Sequence, residues 1–186
     1  TVVVRTLALA EPAESETVCV RVAMRSNGDD FQQNHFEAEC WFGLPAPELG
    51  TLQTCPALPE PLDKNPEDFN PVPLFQGKFF RRIAAIRRMT PNEESITDLT
   101  VPDGERYYSQ PRDQHCLTPS PALRDAFLQS GALVLPPGCL PARIEEIRFF
   151  KIPKPAGLAH CKANVLARRN GEYDAGYAVF DAAGTL

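Results

Sequence analysis

The stretch Ser120–Leu135, SPALRDAFLQSGALVL, decides how this chain is read. Ser120-Pro121 opens a helix: a serine at the N-cap accepts from an orphan backbone N–H, and proline suits the first helical position. The spacing predicts a helix from 120 to about 134, with Leu123, Phe127, Leu128, Leu133 and Val134 making it mostly apolar. Two polar residues break that pattern. Asp125 and Gln129 are four apart, so their side chains share one face. The amide of Gln129 can donate to the carboxyl of Asp125 and fix its orientation. Apolar surroundings favour the protonated form of a carboxylic acid, which suits such a group to act as an acid near neutrality. The plainer alternative puts Asp125 near the helix start for the sake of the dipole, facing solvent.

Strand-like runs flank this helix on both sides. PLFQGKFFRRIAAIRRMTPNEESITDLTVP (residues 73–102) precedes it, with Thr90-Pro91-Asn92 as a turn between two strands. ARIEEIRFFKI, GLAHCKANVLARR and GEYDAGYAVFDAAG follow it, and Asn170-Gly171 marks a hairpin. The order is strand, strand, helix, strand, strand, strand. An antiparallel sheet beside one apolar helix buries that helix by wrapping it, which is the hotdog arrangement.

Further upstream, TVVVRTLALA, TVCVRVAMRS and DFQQNHFEAECWFG read as a three-stranded antiparallel meander, with a hairpin signal at Asn27-Gly28. No comparable helix accompanies them, so they look like the end of another hotdog whose helix lies before Thr1. Between the two sets, residues 44–73 hold eight of the chain's 19 prolines and little apolar periodicity. That composition predicts an extended linker over the surface. The expected organisation is therefore α+β: residues 1–43 as terminal strands of an incomplete first hotdog, 44–73 as linker, and 74–186 as a second hotdog. Thr1 falls within a strand run, which is expected of a cut inside a larger polypeptide.

Composition narrows the function classes. Hydrophobic residues make 43% of the 186 and charged residues 23%, a balance ordinary for soluble domains. No apolar run reaches the roughly 20 residues a membrane span needs, and no basic-then-apolar leader opens the chain. The net charge of -5 argues against general nucleic-acid affinity. The six cysteines (Cys19, Cys40, Cys55, Cys116, Cys139, Cys161) form no C-x-x-C pair. Neither a zinc site nor a disulfide framework is expected, and a reduced, cytosolic protein fits. His115-Cys116 and His160-Cys161 are poor chelates if extended, because strand neighbours point to opposite faces. Lys78, Arg81, Arg82, Arg87 and Arg88 crowd one segment. They could meet an acidic partner, although a solvated strand face is the plainer reading. Trp41, Phe79-Phe80 and Phe149-Phe150 read as core and sheet packing.

Four motifs, in order, carry a family resemblance. SPALRDAFLQ resembles the helix motif H-P-x-L-x-D-x-x-x-Q/H of the second hotdog in polyketide synthase dehydratase domains, through Pro121, Leu123, Asp125 and Gln129; Ser120 replaces the usual histidine. PLFQG resembles the start of that hotdog, Y-G-P-x-F-Q-G, through Pro73, Phe75, Gln76 and Gly77, with Pro71 and Val72 in place of Tyr and Gly. LPARIEEIRFF resembles the L-P-x-x-I-x-x-I/V strand from Leu140-Pro141. NHFEAECWF resembles the last strand of the first hotdog, especially in iterative enediyne-type and polyunsaturated-fatty-acid-type synthases.

The resemblance implies a lyase that removes water from a 3-hydroxyacyl thioester to give a 2-enoyl product. It implies Asp125 as the acid for the departing hydroxyl and Gln129 as its orienting partner. Phe75, Gln76, Gly77, Leu140 and Pro141 are implied as substrate-binding positions. The substrate would ride on the phosphopantetheine of an acyl carrier protein, with no metal or bound cofactor. Partners would be that carrier and other domains of the same synthase, and a homodimer is compatible. The family's general base sits in H-x-x-x-G-x-x-x-x-P, and His35, His115 and His160 all depart from it, so the base is not expected in this chain. Two other classes stay open: a hotdog module that holds an acyl chain or organises neighbours without chemistry, and a different hotdog enzyme such as a thioesterase. The position of a base facing Asp125 separates them.

Overall fold

A computed structural model describes residues 3–12, 17–43, 57–70, 72–103, 120–148 and 157–183. The chain divides into two compact units, Thr1–Gly50 and Thr51–Leu186.

The first unit is an antiparallel sheet of β1 (Val4–Pro12), β2 (Val18–Ser26) and β3 (Phe36–Phe42), in that order. The register pairs even with even and odd with odd positions, such as Ala8 with Val22 and Val22 with Ala38. Alternation therefore sorts the faces. Arg5, Glu11, Arg21, Arg25, Glu37 and Glu39, which are all the charged residues of the three strands, fall on one face. There Arg21 bridges Glu11 at 3.3 Å and Glu39 at 3.2 Å. The hairpin expected at Asn27-Gly28 is instead a wider loop. A 3-10 turn spans Asn27–Asp29, capped by the Ser26 side chain, and Asp30 and Phe31 follow with φ of 54° and 61°. Local side-chain capture competes with the two-residue turn and extends the connection. Trp41 is exposed, not packed in a core.

The second unit carries β4 (Ile83–Thr90), β5 (Glu94–Thr100), α1 (Pro121–Ala132), β6 (Leu158–Arg169) and β7 (Glu172–Asp181). Its four strands are antiparallel in the order β4-β5-β6-β7. Asn92 (φ 60°) turns β4 into β5, and Asn170-Gly171 (φ 52° and 85°) turns β6 into β7. The paired left-handed residues at 170–171 are what a tight hairpin demands. Helix α1 begins as its sequence predicts: Ser120 Oγ accepts from Leu123 N at 3.1 Å, and Pro121 follows.

The helix packs on the sheet through small residues. Leu123 and Ala126 meet Leu99, Ala159 and Cys161 in one buried cluster. Burying Leu123 contributes about 2 kcal/mol. Ser130 sits at the contact and its polar groups are all used. Its hydroxyl donates to Ala126 O at 2.9 Å and lies 2.7 Å from Thr97 Oγ1, and its carbonyl accepts from Ser95 Oγ at 2.6 Å. At Gly131 an added Cβ would fall 2.2 Å from Tyr177 Oη, so glycine is what lets this edge of the sheet reach the helix. Leu133 continues the contact past the helix end, against Leu74 and Ile86 with Phe69 beside them. The result is a hotdog-type α+β fold.

Three expectations are corrected by the backbone. The first strand of this unit starts at Ile83, and residues 78–80 form a 3-10 turn in front of it. ARIEEIRFFKI is not a strand where it is described. Residues 141–148 are irregular and exposed, and 149–152 lie outside the described residues. Ile144 and Ile147 are three apart, so an extended chain would send them to opposite faces, while Arg148 pairs locally with Glu146 at 2.7 Å. Finally, residues 57–70 pack into the second unit. Leu62 N donates to Ile86 O at 2.7 Å, and the 3-10 turn Pro66–Phe69 delivers Phe69 to the cluster. Residues 44–56, all of 104–119 and thus His115 and Cys116, and Phe149-Phe150 lie outside the described residues.

Candidate functional site

Asp125 and Gln129 of α1 do meet. Gln129 is 1% exposed, and its Nε2 donates to Asp125 Oδ2 at 2.7 Å and to the Phe80 carbonyl at 2.8 Å. One NH₂ group thus spends both donors. One bond holds the carboxylate, and the other ties the helix to the 3-10 turn Lys78–Phe80. Asp125 itself is half-buried. The i,i+4 spacing that placed the two on one face brings them within hydrogen-bond reach, because both Cβ atoms sit on adjacent turns of one helix. The Phe80 carbonyl had no signal in sequence, since a backbone acceptor carries no side-chain identity.

The motif positions outside the helix are distributed differently. Phe75 is 64% exposed and Leu140 67%, and Pro141 is exposed as well. Gly77 precedes the 3-10 turn with open space around its Cα hydrogens. Gln76 is half-buried; its carbonyl accepts from Arg81 Nε at 3.1 Å, while its Oε1 is buried without a hydrogen-bond partner among the described residues. None of the hydrogen bonds among the described residues joins these five positions to Asp125 or Gln129.

A second polar constellation lies on the sheet face away from α1. Ala159 and Cys161 face the helix, so His160 between them faces the other way. Its Nδ1 lies 2.7 Å from Asp98 Oδ1, and the same oxygen accepts from Arg87 Nε at 2.7 Å. Arg87 also donates to Pro59 O at 2.8 Å, clamping the proline-rich segment over the sheet. His160 and Asp98 are both buried. This arrangement is structural for the helix site: the sheet separates His160 from Asp125, so His160 is not the base that faces it. His35 lies in the first unit, 3.0 Å from Ser26 Oγ and 3.3 Å from Asp29.

The basic segment is largely neutralised within the chain. Arg81 pairs with Glu67, Arg87 with Asp98, and Arg88 with Glu94, which Lys162 also approaches at 3.3 Å. The Arg88 hydrogen bond holds the Glu94 carboxyl below its ordinary range, helped by Lys162 and opposed by partial burial. Cys161 is fully buried, and burial pushes its thiol up to about 12, against a smaller opposing effect from its hydrogen bond to Ser130. Such a thiol stays protonated and is a packing residue. Burial likewise pushes the Tyr177 hydroxyl up to about 12. Cys19, Cys40, Cys139 and Cys161 are free thiols, and among the described residues no group of three or more His, Cys, Asp or Glu is placed to hold a metal ion.

Residues 53–186, more than two thirds of the chain, match the family model described as the polyketide synthase dehydratase N-terminal domain. The chain belongs to the polyketide synthase dehydratase family. Neither a curated protein nor a solved structure matches it. Membership in the dehydratase family brings a lyase-type role within a synthase, and so other synthase domains as neighbours. The match takes in α1, the 3-10 turn at 78–80 and the whole four-stranded sheet. Among the described residues no helix is long and apolar enough to cross a membrane.

Proposed function

We propose that this chain supplies the general acid of a dehydration, with Asp125 protonating the hydroxyl that leaves C3 of a 3-hydroxyacyl thioester. The observation that carries the reading is the Gln129 bridge. A buried amide holds one carboxyl oxygen of Asp125 at 2.7 Å and is itself anchored to a backbone carbonyl, while Asp125 is only half-buried. A carboxyl whose only role was to favour the helix dipole would need no such buried anchor.

Hydroxide is a poor leaving group and a proton α to a thioester is weakly acidic, so the reaction needs an acid and a base together. A base takes the C2 proton, and the C2–H electron pair becomes the C2–C3 double bond. The C3–O bond breaks as the protonated Asp125 hands its proton to the oxygen, which departs as water. Asp125 is left as the carboxylate, with Gln129 Nε2 donating to it, and regains a proton before the next turnover. The base belongs to another segment of the same synthase in this reading. The substrate is presented on the phosphopantetheine of an acyl carrier protein, with Phe75, Gln76, Gly77, Leu140 and Pro141 as the proposed binding positions. The order of motifs supports residues 74–186 as the second hotdog.

The test is dehydration of a carrier-bound 3-hydroxyacyl substrate by the intact synthase, with and without Asp125→Asn. Loss of a general acid costs about 10²–10⁴ in rate.

A further inference from the structure

Strand β5 turns Ser95, Thr97 and Leu99 toward α1, and all three are fully buried. Valine or leucine at the first two places would bury more apolar surface. The two hydroxyls instead go to one residue of the helix. Ser95 Oγ donates to Ser130 O at 2.6 Å, and Thr97 Oγ1 lies 2.7 Å from Ser130 Oγ. Ser130 Oγ already donates to Ala126 O at 2.9 Å, so the Thr97 hydroxyl is the donor between the two. The Ser130 carbonyl belongs to the helix end, where the last carbonyls lack helical partners. Val134 N donates to Gly131 O at 3.0 Å, and Ser95 satisfies Ser130 O in its place. The rest of this contact is smooth. Ala122 and Ala126 precede Ser130 at four-residue spacing, all three buried, and apolar contact has no preferred direction. A small slide of the helix costs such a surface little, whereas it breaks directional hydrogen bonds. Asp125 stands five residues before Ser130 on the same helix, about 7.5 Å along its axis, so a slide of one moves the other equally.

We propose that Ser95 and Thr97, acting through Ser130, are positioning residues for the acid: they fix where α1 rests along the sheet, and so where the Asp125 carboxyl stands. This rests on Asp125 being the acid. Gln129 sets the carboxyl relative to the helix, and the Ser130 bonds set the helix relative to β5. Both strand residues are fully buried, so they act only through the helix. Buried polar groups of this kind give up some apolar stabilisation for one defined arrangement. That arrangement matters to a proton transfer, since a misplacement of about 1 Å can cost up to 10²-fold in rate.

The experiment compares Thr97→Val/Ser130→Ala with the wild type in the intact synthase. It reads kcat and KM for dehydration of a carrier-bound 3-hydroxybutyryl thioester, and the hydrogen-exchange protection of the α1 and β5 amides as local stability. Replacing both partners of a buried hydrogen bond by apolar groups of similar shape is nearly neutral for stability. Protection should therefore stay near wild type while kcat falls about 5- to 50-fold at little-changed KM. Thr97→Val alone should also lose kcat, and Thr97→Ser, which keeps the hydroxyl and gives up the methyl, should recover most of it. A purely structural role for Thr97 gives the opposite order, with serine the more damaging. In an Asp125→Asn background the Thr97→Val/Ser130→Ala change should cost nothing further. A kcat within twofold of wild type in the double variant, or a loss of protection that accompanies the loss of rate, overturns the proposal and leaves the acid assignment standing. An Asp125→Asn synthase that dehydrates at the wild-type rate overturns the acid assignment, and this proposal with it.

Discussion

Gln129→Leu fills nearly the same space as the native side chain but carries no donor. Two bonds vanish: the one to the Asp125 carboxylate at 2.7 Å and the one to the Phe80 carbonyl at 2.8 Å. Each such hydrogen bond contributes about 0.5–1.5 kcal/mol net. Asp125 and Phe80 both keep solvent access, so water replaces part of what is lost, and leucine gains some apolar burial in return. The net loss of stability should be about 1–3 kcal/mol, read as a lower urea midpoint at unchanged slope. The larger effect should fall on turnover. A freed carboxyl samples other rotamers, and a displacement of about 1 Å can cost up to 10²-fold. We expect kcat to fall about 10- to 100-fold with the fold intact. If Gln129 acts only through Asp125, the Gln129→Leu/Asp125→Asn double variant should be no slower than Asp125→Asn alone. Wild-type kcat in folded Gln129→Leu, or fully multiplicative losses in the double variant, would refute the positioning argument.

Other expectations test the packing around the site. Gly131→Ala should destabilise by about 1–2 kcal/mol, because the clash with Tyr177 Oη outweighs a helix-propensity gain of about 1 kcal/mol; in a Tyr177→Ala background the same change should turn stabilising, measured by a double-mutant cycle. Asp98→Asn should cost about 1.5–3 kcal/mol by urea unfolding, since it removes the charge from the carboxylate that Arg87 and the buried His160 share. The Cys161 and Tyr177 groups have folded pKa values of about 12, raised from ordinary values of 9.0 and 10.0. The folded state therefore holds more protons than the unfolded one through that range. The stability they contribute should be present in full below about pH 9 and lost as pH rises through about 12. Replacing Cys161 by alanine should flatten that alkaline decline in a pH series of unfolding curves.

Much of the second unit was legible because its signals are local. Ser120-Pro121 starts α1, Asn170-Gly171 makes the last hairpin, and the four-residue spacing of Asp125 and Gln129 puts the amide on the carboxyl. Each depends on a few neighbouring residues whose geometry is fixed by one helix or one turn. The misses depend on partners far away in the chain. Asp98 and His160 are 62 residues apart, and nothing in either strand announces that Arg87 will join them. The β-branched content of ARIEEIRFFKI suggests a strand, but Ile144 and Ile147 are out of phase for one face, and residues 141–148 stay irregular. At Asn27-Gly28 the turn signal was right in place and wrong in size, because Ser26 captures Gly28 N and widens the loop. The exposure of Phe79 and Phe80 could not be read from their hydrophobicity, which points equally to a core.

The most direct test of the central claim is single-turnover dehydration by the intact synthase carrying Asp125→Asn. Asparagine keeps the size of the side chain and can still bond to Gln129, so circular dichroism and the urea midpoint should stay near wild type. Asparagine has no carboxyl proton to give the departing hydroxyl, so the rate of 2-enoyl product formation should fall by about 10²–10⁴. A folded Asp125→Asn synthase that forms product at the wild-type rate would contradict the account, and would make Asp125 an ordinary polar residue of a surface-facing helix turn.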